Sequence, residues 1–252
     1  MAYKNFSLSC VIITCIVSIF SCKKETEERT EPNNTTRNTS SKPHDDNSNK
    51  PSDNQPDLGT ELEKALRDGA VDKIAELAQK GVDLNANLKS TEMPPIHSMV
   101  YGGLGCTYSK EILLALINNG ADVNKQITKG DWHDEAPINQ ATNQMKLNLV
   151  ADLLEANANP NIVGDDGAPL HQAIKIFLSQ KSKSKTADNV FKIIFKLLTS
   201  AGINLNLADK DGHVPLYYAN FASDGTPLSQ EEKDDLEPVT DLFLAKCVSF
   251  NP

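Results

Sequence analysis

The chain repeats one short signature four times, as Gly81-Val-Asp-Leu-Asn85, Gly120-Ala-Asp-Val-Asn124, Asn157-Ala-Asn-Pro-Asn161 and Gly202-Ile-Asn-Leu-Asn206. The shared pattern is Gly-x-(Asp/Asn)-x-Asn, with Asn157 in place of the first glycine in the third copy. After each copy comes a proline followed by Ile or Leu, at Pro95, Pro137, Pro169 and Pro215. Internal similarity at such a period predicts stacked supersecondary units, each of which buries its apolar face against its neighbours.

The spacing between the two motifs shows where the units are lengthened. Each signature is followed by its proline after 14, 17, 12 and 13 residues, and the prolines precede the next signature by 25, 20 and 33 residues. The second and fourth units therefore carry 5 and 13 residues more than the third. A degenerate fifth ending is Cys247-Val-Ser-Phe-Asn251. We assign its start to Pro215 rather than Pro227, because Glu231 and Glu232 cannot line a helix–helix core.

The residues around each signature predict where helices begin and end. Proline costs no hydrogen bond in the first turn of a helix, where its missing N–H would have no partner. Gly81, Gly120 and Gly202 are predicted to end helices in the left-handed conformation, and Asn157 is the residue next best able to adopt it. Between these points, apolar residues recur at helical spacing, as in Ile112–Ile117 and Ile193–Leu198.

These motifs resemble the ankyrin repeat, which starts with Thr-Pro-Leu-His and ends with Gly-Ala-Asp-Val-Asn. The resemblance covers nearly all of 58–252 and implies an all-α fold, an ankyrin-repeat solenoid of about five helix-turn-helix units with β-hairpin loops. It further implies that His97 and His171 bond to neighbouring backbone. Leu58–Lys80 lacks the Pro-Leu pair and has a charged outer face, as a capping unit should. The approximate unit boundaries are 58–90, 91–130, 131–164, 165–208 and 209–252.

The N-terminus has the anatomy of a secretion signal. One lysine, Lys4, precedes an apolar run that stops short of the roughly 20 residues needed to cross a membrane. Ile19-Phe20-Ser21-Cys22 resembles the lipobox of bacterial lipoproteins, which implies cleavage between Ser21 and Cys22 and acylation of the Cys22 thiol. We therefore predict a signal peptide at 1–21. Two alternatives are an uncleaved anchor and a plain signal peptide that happens to end at Cys22.

The next segment predicts a tether. Lys23–Asp57 has 35 residues and contains none of the residues Ala, Val, Ile, Leu, Met, Phe, Trp, Tyr or Cys. Such a chain cannot offset the entropy of ordering, so 22–57 is predicted to be a lipidated, disordered spacer before the repeat domain 58–252.

Composition and motifs exclude several functions. The formal net charge of −9 argues against a nucleic-acid partner. The chain contains no metalloprotease, Cys-x-x-Cys, nucleophile-elbow or phosphate-loop motif. We therefore predict a protein that is not an enzyme, with no cofactor, no metal and no small-molecule substrate. Cys106 and Cys247 lie in units two and five, too far apart to be expected to pair.

The candidate contact residues lie at the finger tips, by which we mean the exposed turns in the links between units. They are Lys89, Lys129, Trp132, His133, Asp165, Asp166, Lys210 and Asp211. Trp132 is the only tryptophan, in the projecting charged run 130–135, and tryptophan is enriched at binding hot spots. The alternative is that Trp132 folds back on the array. A second feature is a small basic patch formed by Lys181, Lys183 and Lys185. It is either a contact for an acidic partner or a solvated loop.

Together these features predict an exported bacterial lipoprotein of the cell membrane or outer membrane, facing the periplasm or the surface. Its repeat domain would bind an unidentified protein partner without turnover. Two alternatives stay open: a secreted host-directed ankyrin effector without a lipid anchor, and a periplasmic accessory subunit of an enzyme.

Overall fold

The computed structural model describes residues 57–105, 108–127, 134–180 and 185–249. Side chains are not described for Lys185 and 247–249. Several predictions concern residues outside this part of the chain: the signal peptide 1–21, the lipidated Cys22, the tether up to Pro56, Cys106, Lys129, Trp132, His133, Lys181 and Lys183.

The described residues form ten α-helices and one 3₁₀ helix, which confirms the all-α prediction for this part of the chain. None of these helices is long and apolar enough to cross a membrane. In chain order they are α1 (Leu58–Asp68), α2 (Val71–Gln79), α3 (Pro95–Tyr101), α4 (Lys110–Asn118), α5 (Pro137–Asn143), α6 (Leu147–Glu155), α7 (Pro169–Ser179), α8 (Lys185–Thr199), the 3₁₀ helix η1 (Pro215–Ala219), α9 (Gln230–Asp235) and α10 (Glu237–Ser249).

Several helices begin or end at the prolines, glycines and asparagine that the sequence indicated. Proline opens the first turn of α3, α5, α7 and η1, as predicted. The backbone after α2, α4, α6 and α8 turns through a positive φ, with values of 90° at Gly81, 104° at Gly120, 63° at Asn157 and 74° at Gly202. Only glycine adopts this conformation freely, and asparagine is the non-glycine residue that tolerates it best.

The helices pack in two layers. The first helix of each pair contacts the first helix of the next, from α1 through α3, α5 and α7 to η1. In the second layer α2 packs on α4, α6 on α8, and α8 on α10. One connected apolar core runs between the layers, from Leu62 in α1 to Phe243 in α10. Because each pair is covered by its neighbours, burial of apolar surface joins the pairs into one structure.

The predicted β-hairpins are not formed by the described residues. The links reverse direction through turns that are closed by one or two backbone hydrogen bonds, such as Leu88 N–H to Met93 O at 2.9 Å and Asp209 N–H to His213 O at 2.9 Å. Gly164 and Gly167 form only an isolated bridge. The segments on either side of each turn are too short to extend the pairing into strands, because a proline or a helix begins within a few residues.

The fifth unit also departs from the predicted helix-turn-helix pattern. Pro215 begins a single turn of 3₁₀ helix rather than an α-helix. The chain then reverses at Asp224, whose carboxylate accepts hydrogen bonds from the N–H and hydroxyl of Thr226, at 3.0 and 2.7 Å. Pro227 follows, and a proline disfavours helical geometry at the residue before it. Two helices, α9 and α10, complete the unit, and α9 buries none of its residues, consistent with the prediction that Glu231 and Glu232 line no core.

Candidate functional site

The last asparagine of each of the first three signatures ties one unit to the next. The Nδ2 atom of Asn85 donates to Gly120 O at 2.9 Å, and its Oδ1 accepts from Asp122 N–H at 2.7 Å. Asn161 repeats both bonds with Gly202 O and Asn204 N–H, each at 2.8 Å. Asn124 accepts from Asn159 N–H at 2.7 Å. We call this series the asparagine ladder.

The middle residue of each signature shapes the turn that presents the ladder. In all four copies its side-chain oxygen accepts a hydrogen bond from the backbone N–H of the final asparagine, two residues on. These bonds measure 2.8 Å in the first two copies and 3.0 Å in the last two. Such a local bond fixes the turn, which explains why only Asp or Asn occupies this position.

The two histidines after the prolines bond to neighbouring backbone carbonyls, as the resemblance implied. Nε2 of His97 lies 2.6 Å from Lys125 O, and Nδ1 lies 2.7 Å from the Gln140 amide oxygen. Nε2 of His171 lies 3.0 Å from His213 O. Both rings are buried, and burial lowers the pKa of each histidine below its ordinary value because the charged form loses its hydration.

Lys210 connects the tips of three consecutive links. Its Nζ lies 2.5 Å from Asp165 Oδ1 and 3.3 Å from Asp134 Oδ2. The three side chains come from separate turns, yet the stacking brings them within ion-pair distance. All are substantially exposed, so the finger tips of the third, fourth and fifth units form one continuous charged surface. We call it the tip row.

The other predicted tip residues have different surroundings. Asp166 is exposed, and its carbonyl accepts from Lys175 Nζ at 3.1 Å. Asp211 is exposed one residue after Lys210, so both aspartates adjoin the tip row. Lys89 is separate: it pairs with Asp57 at 2.5 Å, and Asp57 also accepts the Gly59 N–H at the start of α1.

Asp209, Asp211 and His213 bring three potential metal-ligating atoms within 4.8 Å of one another. The Asp209 carboxylate already accepts from Tyr218 OH at 2.5 Å, from His213 N–H at 2.9 Å and from Asp211 N–H at 3.1 Å. Burial alone would raise the pKa of Asp209, but these donors hold it below its ordinary value. The carboxylate is thus engaged in closing the turn beneath Lys210.

Glu135 was not among the predicted contact residues, yet it is buried within the charged run that includes two of them. The charged run 130–135 predicted a projecting loop, but the side chain of Glu135 is only 2% exposed. Its carbonyl accepts Ile127 N–H at 3.0 Å, which closes the link. The carboxylate lies against Gly164, where a Cβ would come within 2.4 Å of Oε1. The absence of a side chain at Gly164 therefore makes the space that Glu135 fills.

The buried Glu135 carboxylate is bonded by two neutral donors, the Gln172 amide and the Asp165 backbone N–H. Gln172 Nε2 in α7 lies 3.2 Å from Oε1 and 3.4 Å from Oε2. Burial raises the pKa of Glu135 to about 7, and the negative charges of Asp166 and Asp165 act in the same direction, while hydrogen bonds from Gln172 and from the Asp165 backbone N–H oppose the rise. A carboxyl group in this state can hold or release a proton near neutral pH.

The predicted contact residues that the structure describes thus fall into two groups. Asp165, Asp166, Lys210 and Asp211 lie together, and Lys89 lies apart in an ion pair. Sequence reasoning missed Asp134, Asp209, Glu135 and Gln172. A signal for Glu135 was its position directly before Ala136-Pro137, in the link that leads into a buried helix start.

No protein-family model matches the chain, and a search of curated proteins finds no match.

Proposed function

We propose that this chain is a membrane-tethered, non-catalytic protein-binding module built on an ankyrin-like stack. The asparagine ladder supports the stack, because the signature that suggested a repeat makes equivalent bonds at successive unit boundaries. The two-layer packing and the histidine contacts support it as well. A stack of this kind offers its links as one extended surface for recognition.

The observation that carries the binding proposal is the tip row. Lys210 gathers Asp134 and Asp165 from three successive links into one exposed surface, next to Asp166 and Asp211. Loops held by a rigid scaffold are where proteins commonly place recognition residues. His97 and Asp209, by contrast, are buried and bonded within the fold. Binding would therefore depend on surface complementarity, without turnover.

A capture experiment with the full chain tests this function. We expect the wild-type protein to recover a partner from cells, and a Lys210→Ala variant to recover markedly less. Trp132→Ala tests the sequence-based candidate in the same way. Equal recovery by wild type and Lys210→Ala would remove the tip row from the binding site, and equal recovery by Trp132→Ala would remove Trp132.

The tether and anchor are proposed from the sequence. Acylation at Cys22 would hold the chain at a membrane, since two or more acyl chains make a stable anchor. Metabolic labelling with a palmitate analogue should mark the wild-type chain, and Cys22→Ala should abolish the label. No label, or a label that survives Cys22→Ala, would contradict the lipoprotein proposal and favour a released, host-directed effector.

A further inference from the structure

The Glu135–Gln172 contact joins two units through groups that are almost completely buried. Glu135 belongs to the link before α5, whereas Gln172 lies in α7, 37 residues later, and is 1% exposed. As an ionised carboxylate, Glu135 can only accept hydrogen bonds. Gln172 Nε2 supplies donors, but Gln172 Oε1 is buried and has no hydrogen-bond donor. The ionised state therefore leaves one polar atom of the pair unsatisfied.

Protonation of Glu135 would satisfy that atom. A carboxylic acid has one O–H donor and one carbonyl acceptor, and a primary amide has the complementary pair. In an acid–amide pair the Glu135 O–H would donate to Gln172 Oε1 while Gln172 Nε2 donates to the Glu135 carbonyl. The pair then holds two hydrogen bonds and no buried charge. A buried polar pair is most stable when both members are fully bonded.

The charges around this pair also favour the protonated state of Glu135. Asp165 and Asp166, in the turn packed against Glu135, are acidic, and Asp134 precedes it in its own segment. The lysines that contact these aspartates are Lys175 and Lys210. Lys175 of α7 donates to Asp166 O, and Lys210 pairs with Asp134 and Asp165.

Two further groups face this region from the neighbouring helices. The neutral Asn139 of α5 lies beside Gly164, and His171 of α7, which precedes Gln172, packs on Gly167. No cation among the described residues is a cause of the Glu135 pKa shift.

From this geometry we propose that Glu135 and Gln172 form a proton-dependent latch between the third and fourth units, closed when Glu135 is protonated and weakened when it ionises. Ionisation places a charge in a site that Gly164 and α7 screen from water, beside two other acids, where only the neutral Gln172 amide and Asp165 N–H bond it. The contact weakens, and with it the hydrogen bond from Ile127 N–H to Glu135 O. The latch requires no ligand, so it stands or fails independently of the proposed binding function.

Direct titration of the wild-type protein tests the first part of this proposal. With the chain labelled at glutamate side-chain carbons, the NMR carboxyl signal of Glu135 should shift with a midpoint near pH 7. Glu135→Gln identifies the signal by its loss. A midpoint at the ordinary glutamate value of 4.5 would overturn the proposal. This measurement uses the native residue, so it does not depend on whether any variant folds.

Thermal unfolding of three full-length proteins tests the second part. Glu135→Gln retains the pairing with Gln172 but removes the charge, so its melting temperature should exceed that of wild type by about 5 °C at pH 8 and by little at pH 5. Comparing the two proteins at the same pH removes the contributions of His97 and His171. A difference that is equal at both pH values, or a variant less stable than wild type at pH 8, would overturn the latch.

Glu63→Gln is the matched control, because Glu63 is another buried glutamate in a different unit. Its Oε1 accepts Ser90 N–H at 2.9 Å; burial would raise its pKa, but the Ser90 bonds hold it below the ordinary value. Glu63 is therefore ionised at both pH 5 and pH 8. We expect its substitution to change the melting temperature by the same amount at both. A pH-dependent difference for Glu63→Gln like that of Glu135→Gln would overturn assignment of the effect to the latch.

Discussion

The backbone N–H of Asn204 donates to the side-chain oxygen of Asn161 across 2.8 Å, although the two residues are 43 positions apart. The amide nitrogen of Asn161 returns a bond to Gly202 O in the same turn. The fourth unit is the most lengthened, yet this contact has the same form as the one between Asn85 and Asp122. The added residues thus lie within the helical hairpin and leave the boundary between units unchanged.

Removing a member of the asparagine ladder should destabilise the stack. Asn161→Ala loses two hydrogen bonds between units, so we expect the free energy of unfolding to fall by about 1–2 kcal/mol. Asn206→Ala is the control, since the side chain of Asn206 makes no hydrogen bond to the described residues and should change stability by less than about 0.5 kcal/mol. Urea denaturation measures both. Equal losses would show that the ladder contributes nothing specific.

The left-handed turn at Asn157 gives a test of backbone strain. Asn157→Gly removes the penalty for a side chain at φ 63° and should be neutral or stabilising by up to about 1 kcal/mol. Asn157→Val puts a β-branched residue in that conformation and should cost about 1–2 kcal/mol or more. If the valine and glycine variants were equally stable, the left-handed conformation at Asn157 after α6 would be contradicted.

The space beside Gly164 should couple it to Glu135. Gly164→Ala would place a methyl group 2.4 Å from Glu135 Oε1, and overpacking of this kind costs about 1–3 kcal/mol. In a Glu135→Ala background, Gly164→Ala should lower the free energy of unfolding by at least about 1 kcal/mol less, because the opposing carboxylate is gone. Additive effects in this double-mutant cycle would contradict the packing of these two residues.

The buried histidines and Glu135 should impose opposite pH dependences. His97 and His171 have lowered pKa values, so the folded state binds fewer protons than the unfolded state, and stability falls as pH drops below about 6.5. Glu135 has a raised pKa, so the folded state binds more protons, and stability falls as pH rises from 4.5 to about 7. The difference between the Glu135 pKa of about 7 and the ordinary value of 4.5 is equivalent to about 3 kcal/mol of stability, at 1.36 kcal/mol per pKa unit.

Glu135→Gln separates these two contributions. In that variant we expect the urea midpoint to rise steadily from pH 5 to pH 7, because only the histidine contribution remains. Proton NMR of the imidazole signals should place the titration of His97 and His171 below 6.5. A falling midpoint over this range, or both histidines titrating above 6.5, would contradict the burial described for them.

Lys210 should matter for binding and hardly at all for stability. Its ion pairs with Asp134 and Asp165 are exposed, and such pairs contribute about 0–1 kcal/mol. Lys210→Ala should therefore unfold within about 0.5 kcal/mol of wild type while reducing capture of the partner. Lys80→Ala is the control, because Lys80 makes a similar exposed pair with Glu76 near the end of α2. A similar reduction in capture by both variants would indicate a nonspecific effect of charge.

Much of the fold follows from local residue chemistry. Proline at the helix starts, Gly81, Gly120 and Gly202 at the helix ends, and the apolar spacing of α4 and α8 were readable because each depends on neighbours within a few residues. The signature residues were recognised as a pattern, but their role as a ladder needed the structure, since their partners lie 35 to 43 residues away. The 3₁₀ geometry at Pro215 was missed because the local Pro-Leu start is the same as that of the α-helix at Pro169.

The candidate site was less predictable than the fold, because part of it depends on residues that are distant in the sequence. Asp165, Asp166, Lys210 and Asp211 were correctly placed at exposed turns, because Asp-Gly sequences favour turns. The burial of Glu135 depends on the missing side chain of Gly164 and on Gln172, and neither can be matched to it from spacing alone. A charge in a polar run is normally solvated, so local reasoning favours the exposed position.

Site-specific photo-crosslinking distinguishes binding through the tip row from binding elsewhere on the domain. A photoreactive amino acid is placed at Asp166, beside the tip row, or at Asn148, which is exposed on α6 in the layer of second helices. In cells that make the full chain, we predict one discrete adduct with a partner from position 166 and none from position 148. Equal adducts from both positions, or an adduct from position 148 alone, would contradict binding through the tip row.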